Sequence, residues 1–212
     1  MISKECQEAV LVVPREILDA VCPQTFCRES AQIKSAILNN CSFIDRDIAE
    51  QDGRYKQVIP YVVIQHQNRY LLIQRTPKQT EARLHNLFSL GIGGHVNDDD
   101  SSGKSCDIIT SGMQREFDEE IRLEAGGPCK LIGVINDDST EVARFHVGFV
   151  HLLIATSPRF TILEQGKYTA AWKSPDEISN YYDQMESWAQ IIHDYILFPA
   201  ATDRAQKWEV CR

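Results

Sequence analysis

The sequence predicts an α+β fold, with a mixed β-sheet covered by helices. Three observations point there. The β-rich runs come as strands, then a helix, then strands, then a helix, instead of in strict alternation. Two segments, near residues 107–123 and 184–198, carry apolar residues at helical spacing. The chain has no G-x-G-x-x-G and no Walker loop, which disfavours the dinucleotide-binding and P-loop folds.

The elements follow in order. "AVLVVP", from Ala9, is a strand. Residues 30–40 are a short helix, with Ile33, Ile37 and Leu38 on one face and Asn39 and Asn40 as stop signals. Residues 45–57 are a polar connector turning at Gly53. "QVIPYVVIQ" and "RYLLIQR", separated by "HQN", make a hairpin. "NLFSLGIGG" is a strand ending in glycines, followed by the polar loop Asn97 to Ser105. Helix is expected from Asp107 to Leu123, with Ile109, Met113 and Phe117 as its inward stripe. "CKLIGVIND" and "ARFHVGFVHLLIAT" are two strands joined through "DDSTE". "SPDEISNYY" opens with Ser-Pro and an acidic first turn, a helix start. Met185, Trp188, Ile191, Ile192 and Tyr195 mark a C-terminal helix buried on one side. The chain thus divides into an N-terminal extension of strand plus helix (1–50) packed on a main domain (51–198), and a loose tail (199–212).

The bulk composition bounds the function. The 212 residues are 43% hydrophobic, enough for a real core, and the net charge of −8 disfavours nucleic-acid polymers and anionic membranes as partners. No leader-like or membrane-spanning run is present, so a soluble, cytoplasmic protein is expected, with a homodimer left open. Seven cysteines, an odd number without a zinc-type pair, are expected to be reduced thiols. Cys22 and Cys27 are the closest pair. Trp172, Trp188, Tyr61 and Phe88 are expected in the core, and His146 and His151 in structural roles.

The stretch "REFDEE" (115–120) carries the chemistry. On a helix, Glu116, Glu119 and Glu120 stand at i, i+3 and i+4 and share a face, while Asp118 points elsewhere. Like charges at this spacing each cost about 0.2–0.5 kcal/mol, partly offset by Arg115 at i−4 from Glu119. The run is either a solvated, salt-bridged face or a site for a cation that prefers hard oxygen ligands. The second reading needs other elements nearby. Gly93 and Gly94 allow close backbone approach. Asp107, at the helix start, suits an N-cap as well as a metal role. Arg75, Lys78 and Arg83 are candidate phosphate partners. His95, next to Gly94, is a candidate substrate contact.

These residues resemble the Nudix box of the Nudix (MutT-like) hydrolases, G-x5-E-x7-R-E-U-x-E-E-x-G-U with U bulky and apolar. Arg115, Glu116, Phe117, Glu119, Glu120 and Leu123 match R, E, U, E, E and U. "LLIQR", "LFSLGIGGHV" and "GKYTAAWKSPDEI" resemble the family's approach to the box and a later element, so the likeness runs over about residues 58–195. Three departures stand out. Asp107 occupies the position eight before Arg115, where the family has glutamate. Gly94 to Asp107 is thirteen positions where the family has six, an insertion of 13 − 6 = 7 residues. Arg122 replaces a glycine that normally helps end the helix, which suggests an end one turn later at Gly126 and Gly127.

The resemblance implies an α/β/α sandwich and hydrolysis of a nucleoside diphosphate linked to another moiety, with a small phosphorylated substrate as partner. It implies Mg²⁺ or Mn²⁺ held by Glu116, Glu119, Glu120 and the Gly94 carbonyl, with Arg115 orienting the glutamates. Glu116, Glu119, Arg115 and Asp107 are then the catalytic set. Arg75, Arg83, Gly93 and His95 are the substrate contacts. The general base is Glu119 or Glu116, with Glu164 and Glu141 as loop alternatives. The rival reading is a catalytically silent Nudix domain that binds a nucleotide as a sensor. An isomerase on the same fold lacks the reactive Cys/Glu pair it would need.

Overall fold

The computed structural model describes residues 8–28, 31–78, 84–102, 107–164 and 166–199. The N-terminal part runs β1 (Ala9–Pro14), α1 (Arg15–Val21), β2 (Phe26–Arg28), α2 (Ala31–Leu38), β3 (Ser42–Asp45) and α3 (Arg46–Ala49). The hairpin β4 (Tyr55–His66) and β5 (Arg69–Arg75) follows, turning through Gln67 at positive φ, then β6 (Phe88–Ser89) and β7 (Gly91–Gly93). A 3₁₀ turn over Asp98–Ser102 leads towards α4 (Ile108–Glu120). Next come β8 (Ile121–Leu123), β9 (Gly126–Ile135), β10 (His146–Ala155), β11 (Phe160–Ile162) and β12 (Tyr168–Lys173). The last helices are α5 (Pro175–Ser179) and α6 (Ser187–Ile192), the latter continued by a π turn to Leu197.

The main sheet has the order β12-β5-β4-β10-β9-β2. Its central strand β4 runs parallel to β10 and antiparallel to β1, β5 and β7, so the sheet is mixed. Alternation along β4 explains the layers. Tyr61 and Val63 face a cluster closed by Ile178, Ala189, Ile192 and Ile196 of α5, α6 and the π turn. Val62 and Ile64 face Met113 of α4 and Ile121, and Val58 faces Ile109. Burying a Val or Ile side chain fully, as at Val58, Val63, Ile178 and Ile192, contributes roughly 1.5–3 kcal/mol. Helices therefore cover both faces of a mixed sheet. No described helix is long and apolar enough to cross a membrane.

The expected strands, the hairpin and the α2 and α4 stripes are present, and Ser174 and Glu177 form a reciprocal capping box at α5. Several expectations need correction. The polar connector at 45–57 contains α3 and the start of β4, because Asp45 caps a turn by accepting from the Asp47 N–H at 2.9 Å. Helix α1 and strands β2, β3, β8, β11 and β12 depart from the sequence expectations. Helix α4 stops at Glu120, with no glycine involved. Ile121 is extended (φ −143°, ψ 146°), buried and paired with Ile162, so strand pairing ends the helix a turn earlier than Gly126 and Gly127 would. The thiol expectation fails at one pair: Cys22 and Cys27 form a disulfide, since the turn between α1 and β2 brings their Cα atoms to 5.7 Å. Cys41 and Cys129 are free. The tail from Pro199 falls almost wholly outside the described residues.

Candidate active site

Helix α4 places the acidic run against the β7 end. Asp107 starts the helix: its Oδ1 accepts the Thr110 N–H at 3.0 Å, and its Oδ2 pairs with Lys34 at 2.8 Å. Burial works to raise the Asp107 carboxyl, but Lys34 and the Thr110 N–H outweigh it and hold it below its ordinary value. Asp107 does not border the cavity described below.

Arg115 organises the first turn of the motif. Its Nε and Nη2 donate to the two oxygens of Asp100 at 2.9 and 3.1 Å, and Nη2 also donates to the His95 carbonyl at 2.9 Å. Nη1 donates to Glu116 Oε1 at 2.8 Å and lies 3.6 Å from Glu119. Asp100 is itself fixed by the Asn97 N–H at 2.8 Å. Its bidentate bond leads the interactions that hold the guanidinium above its ordinary pKa. Sequence reasoning missed Asp100, although it stands six residues after Gly94, the glycine-to-acid spacing of the motif. The seven extra residues therefore follow the acid that braces Arg115. Asp107 keeps the other spacing and serves as a cap.

Glu116 packs on Gly94: a Cβ built there would lie 2.0 Å from a Glu116 carboxylate oxygen. Burial raises the Glu116 carboxyl, against the pull of Arg115. Glu120 accepts the Tyr168 hydroxyl at 2.8 Å. Burial pushes it up to about 7; Tyr168 and Arg75 oppose this, and Glu164 and Glu116 add to it. Glu119, one turn from Glu116, is largely exposed.

A cavity of about 840 Å³ opens over this face, bordered by Gly93, Gly94, His95, Glu116, Glu120 and Arg75, with Glu164, Lys167 and Glu141 at its loops. Of the expected site residues, Glu119, Arg115 and Asp107 do not border it, and Arg83 lies outside the described residues. Glu164 is paired with Lys167. Arg75 is 15% exposed at its side chain and bonds Glu186 Oε2 at 3.3 Å. Glu186 is buried and also accepts the Tyr61 hydroxyl at 3.0 Å and the Ser89 hydroxyl at 2.6 Å. No pattern in the sequence pointed to Glu186 or Tyr168. His95 is driven down to about 3, by burial first and then by the charges of Arg46, His146 and Arg115, so its ring is neutral. Tyr61 and Trp188 both pack in the core and form part of the cavity wall, with ring centroids 5.5 Å apart.

Known proteins place this arrangement. No family model matches the chain. It is 31% identical over 156 residues to Protein YmaB of Bacillus subtilis (strain 168), spanning 71% of this chain and 76% of that protein. The crystal structure of Tm1382, assigned by inference to the Nudix hydrolases, superposes with a TM-score of 0.77 at 31% identity, covering 90% of this chain and 98% of that one. The NUDIX domain of Shewanella oneidensis NrtR, solved with ADP ribose, shares the fold with a TM-score of 0.50 at 11% identity, over 65% of this chain and 84% of that one. The motif, the sandwich that presents it and this likeness agree: the chain belongs to the Nudix hydrolase superfamily, a group of pyrophosphate-cleaving hydrolases.

Proposed function

We propose that the protein is a Mg²⁺- or Mn²⁺-dependent hydrolase that cleaves the diphosphate linkage of a nucleoside diphosphate derivative or a similar small phosphorylated compound. One observation carries this reading: Glu116, Glu120, Gly94 and Arg75 share the wall of one cavity. The donor set suits a hard cation. Glu116, Glu119 and Glu120 offer carboxylate oxygens and Gly94 a carbonyl, and the missing Cβ of Gly94 is what admits the Glu116 carboxylate. As the side chains stand, no three acid, His or Cys groups among the described residues are close enough to hold an ion together. Glu116 gives one carboxylate oxygen to Arg115 and Glu120 gives one to Tyr168, which leaves the second oxygen of each for a cation. A bound divalent cation supplies charge neutralisation and a more acidic water.

The chain's own groups do the rest. Arg115, locked by Asp100, keeps Glu116 on Gly94. Arg75, kept charged by Glu186 against the cost of burial, supplies a fixed cation for a phosphate. Glu116, Glu164 and Glu141 are among the acids that border the cavity, so each can take a proton from water there, and Glu119 reaches it only by turning inward from its exposed position. The unconverged acids favour one rival, a silent nucleotide-binding domain. The test is a panel of diphosphate compounds with Mg²⁺ or Mn²⁺, assayed for phosphorylated products. Turnover with either metal supports the hydrolase. No turnover across the panel, together with no metal binding, rejects it.

A further inference from the structure

One wall of the cavity comes from outside the Nudix motif, from the first fifty residues. Glu8, just before β1, and Arg46 and Glu50, at either end of α3, all border it. Arg46 is held between the two acids: Nη1 donates to Glu8 Oε2 at 2.7 Å and Nε donates to Glu50 Oε1 at 3.0 Å. Its backbone N–H also donates to the Glu8 carbonyl at 2.9 Å, so the trio is fixed in the fold. Two carboxylates on one guanidinium leave this wall with excess negative charge. No other cation pairs with either acid among the described residues. The three side chains remain 39–48% exposed, open to a ligand.

A second observation lies beside it. His95 borders the same cavity, and its Nε2 is buried without a hydrogen-bond partner. A buried ring nitrogen left unpaired next to a cavity is a group that a ligand can satisfy. The remaining cavity cations, Arg75 and Lys167, stand with Tyr168 and near Glu120. In the reading above the phosphates lie with Arg75 and the metal-holding acids Glu116 and Glu120, which leaves the N-terminal wall to face the rest of the substrate.

We propose that Glu8, Arg46, Glu50 and His95 Nε2 form a subsite for the part of the substrate beyond the diphosphate. The subsite takes a neutral or cationic group rich in hydrogen-bond donors, such as sugar hydroxyls or an amine, and refuses a phosphate or carboxylate. This rests on the diphosphate-hydrolase reading above.

The experiment uses diphosphate esters that differ only in the terminal group, hydroxyl, amine or phosphate, and compares kcat/KM with Mg²⁺ for the wild type and the Glu8→Gln/Glu50→Gln double variant. The wild type is expected to favour hydroxyl or amine over phosphate by at least about tenfold, the scale of a like-charge penalty. The double variant is expected to lose most of that preference. Equal use of all three by the wild type overturns the subsite, as does a preference that the double variant retains. Dissociation constants for the matching methylene diphosphonates separate the two readings. If no ester turns over but the binding preference and its loss remain, the hydrolase fails and the subsite stands. If the esters turn over and binding is indifferent to the terminal group, the subsite fails alone.

Discussion

Asp100 grips Arg115 with both carboxylate oxygens, at 2.9 and 3.1 Å, across fifteen positions of sequence. Asp100 is 8% exposed, and its 3₁₀ turn packs directly on α4. Gly112 completes the contact, because a Cβ there would stand 2.8 Å from an Asp100 oxygen. The acid of the motif is thus held on a turn before the inserted residues, and the helix cap is a separate residue after them.

Exchanging the two acids should separate these roles. Asp100→Asn breaks a largely buried ion pair and frees Arg115, so a loss of about 3 kcal/mol is expected, together with most of the activity. Asp107→Asn keeps a capping side chain and loses mainly the Lys34 pair, so it should cost less than about 1 kcal/mol and leave turnover near wild type. Urea unfolding and kcat measured on both variants check this. An Asp107→Asn variant as damaged as Asp100→Asn would show that Asp107 does more than cap the helix.

Gly93 and Gly94 should fail in different ways. A Cβ at Gly93 meets the Pro60 backbone carbonyl at 2.3 Å, which cannot move aside. Gly93→Ala should therefore cost about 1–3 kcal/mol of stability. At Gly94 the obstacle is the Glu116 carboxylate, the tip of a flexible side chain. Gly94→Ala should stay within about 1 kcal/mol of wild-type stability, yet lose ~100-fold in kcat, because a displacement near 1 Å misplaces a reacting group. Melting curves and initial rates on the pair distinguish the two, and an active Gly94→Ala would contradict the placement of Glu116.

Periodicity made the main sheet and the α4 stripe legible, since Ile109, Met113 and the alternating residues of β4 each bury a defined face. The acidic face was legible because Glu116 and Glu120 keep helical spacing beside a glycine pair. The brace was harder to read. Two acids each satisfied half of the motif spacing, and only the fold of residues 97–102 shows that the six-residue half belongs to Asp100. The helix end was hidden because it depends on Ile121 pairing with Ile162, forty-one positions away. The Cys22–Cys27 disulfide depends on a turn between two elements too short to carry a periodic signal. Glu186 and Tyr168 reach the site by tertiary contact alone.

The proton acceptor can be found by rate. Replacing a general base by its amide should lower kcat about 10²–10⁴-fold. Glu164→Gln removes an acid whose ion pair, with Lys167, lies on the same partly exposed loop, so its fold should survive and any loss is chemical. Glu119→Gln removes a proposed ligand, so metal affinity should fall along with kcat. If Glu164→Gln loses kcat at unchanged metal affinity, the base is on the loop. If Glu164→Gln is as fast as wild type, the base lies on α4 or at Glu141. A Glu119→Gln variant with no turnover to lose, in a protein that still binds nucleotide, would favour the silent domain.

Glu120 sets a pH dependence of opposite sign for stability and for metal binding. Its carboxyl sits at about 7 in the folded chain, against an ordinary 4.5. The folded state therefore binds this proton more tightly than the unfolded state, and the metal-free protein loses stability as pH rises from about 4.5 through 7. Glu120→Gln keeps an acceptor for the Tyr168 hydroxyl and removes the charge. In chelator at pH 8 it should be more stable than wild type by about 1–3 kcal/mol, and at pH 4.5 the difference should vanish. Metal affinity runs the other way. A cation needs the ionised carboxylate, so wild-type Mg²⁺ or Mn²⁺ binding should strengthen from pH 6 to 8 and release a proton, and the variant should bind weakly throughout. Urea unfolding in chelator and calorimetric metal titration at three pH values measure both. Parallel stability curves for the two proteins would show that Glu120 is not the buried, destabilising acid of the empty site.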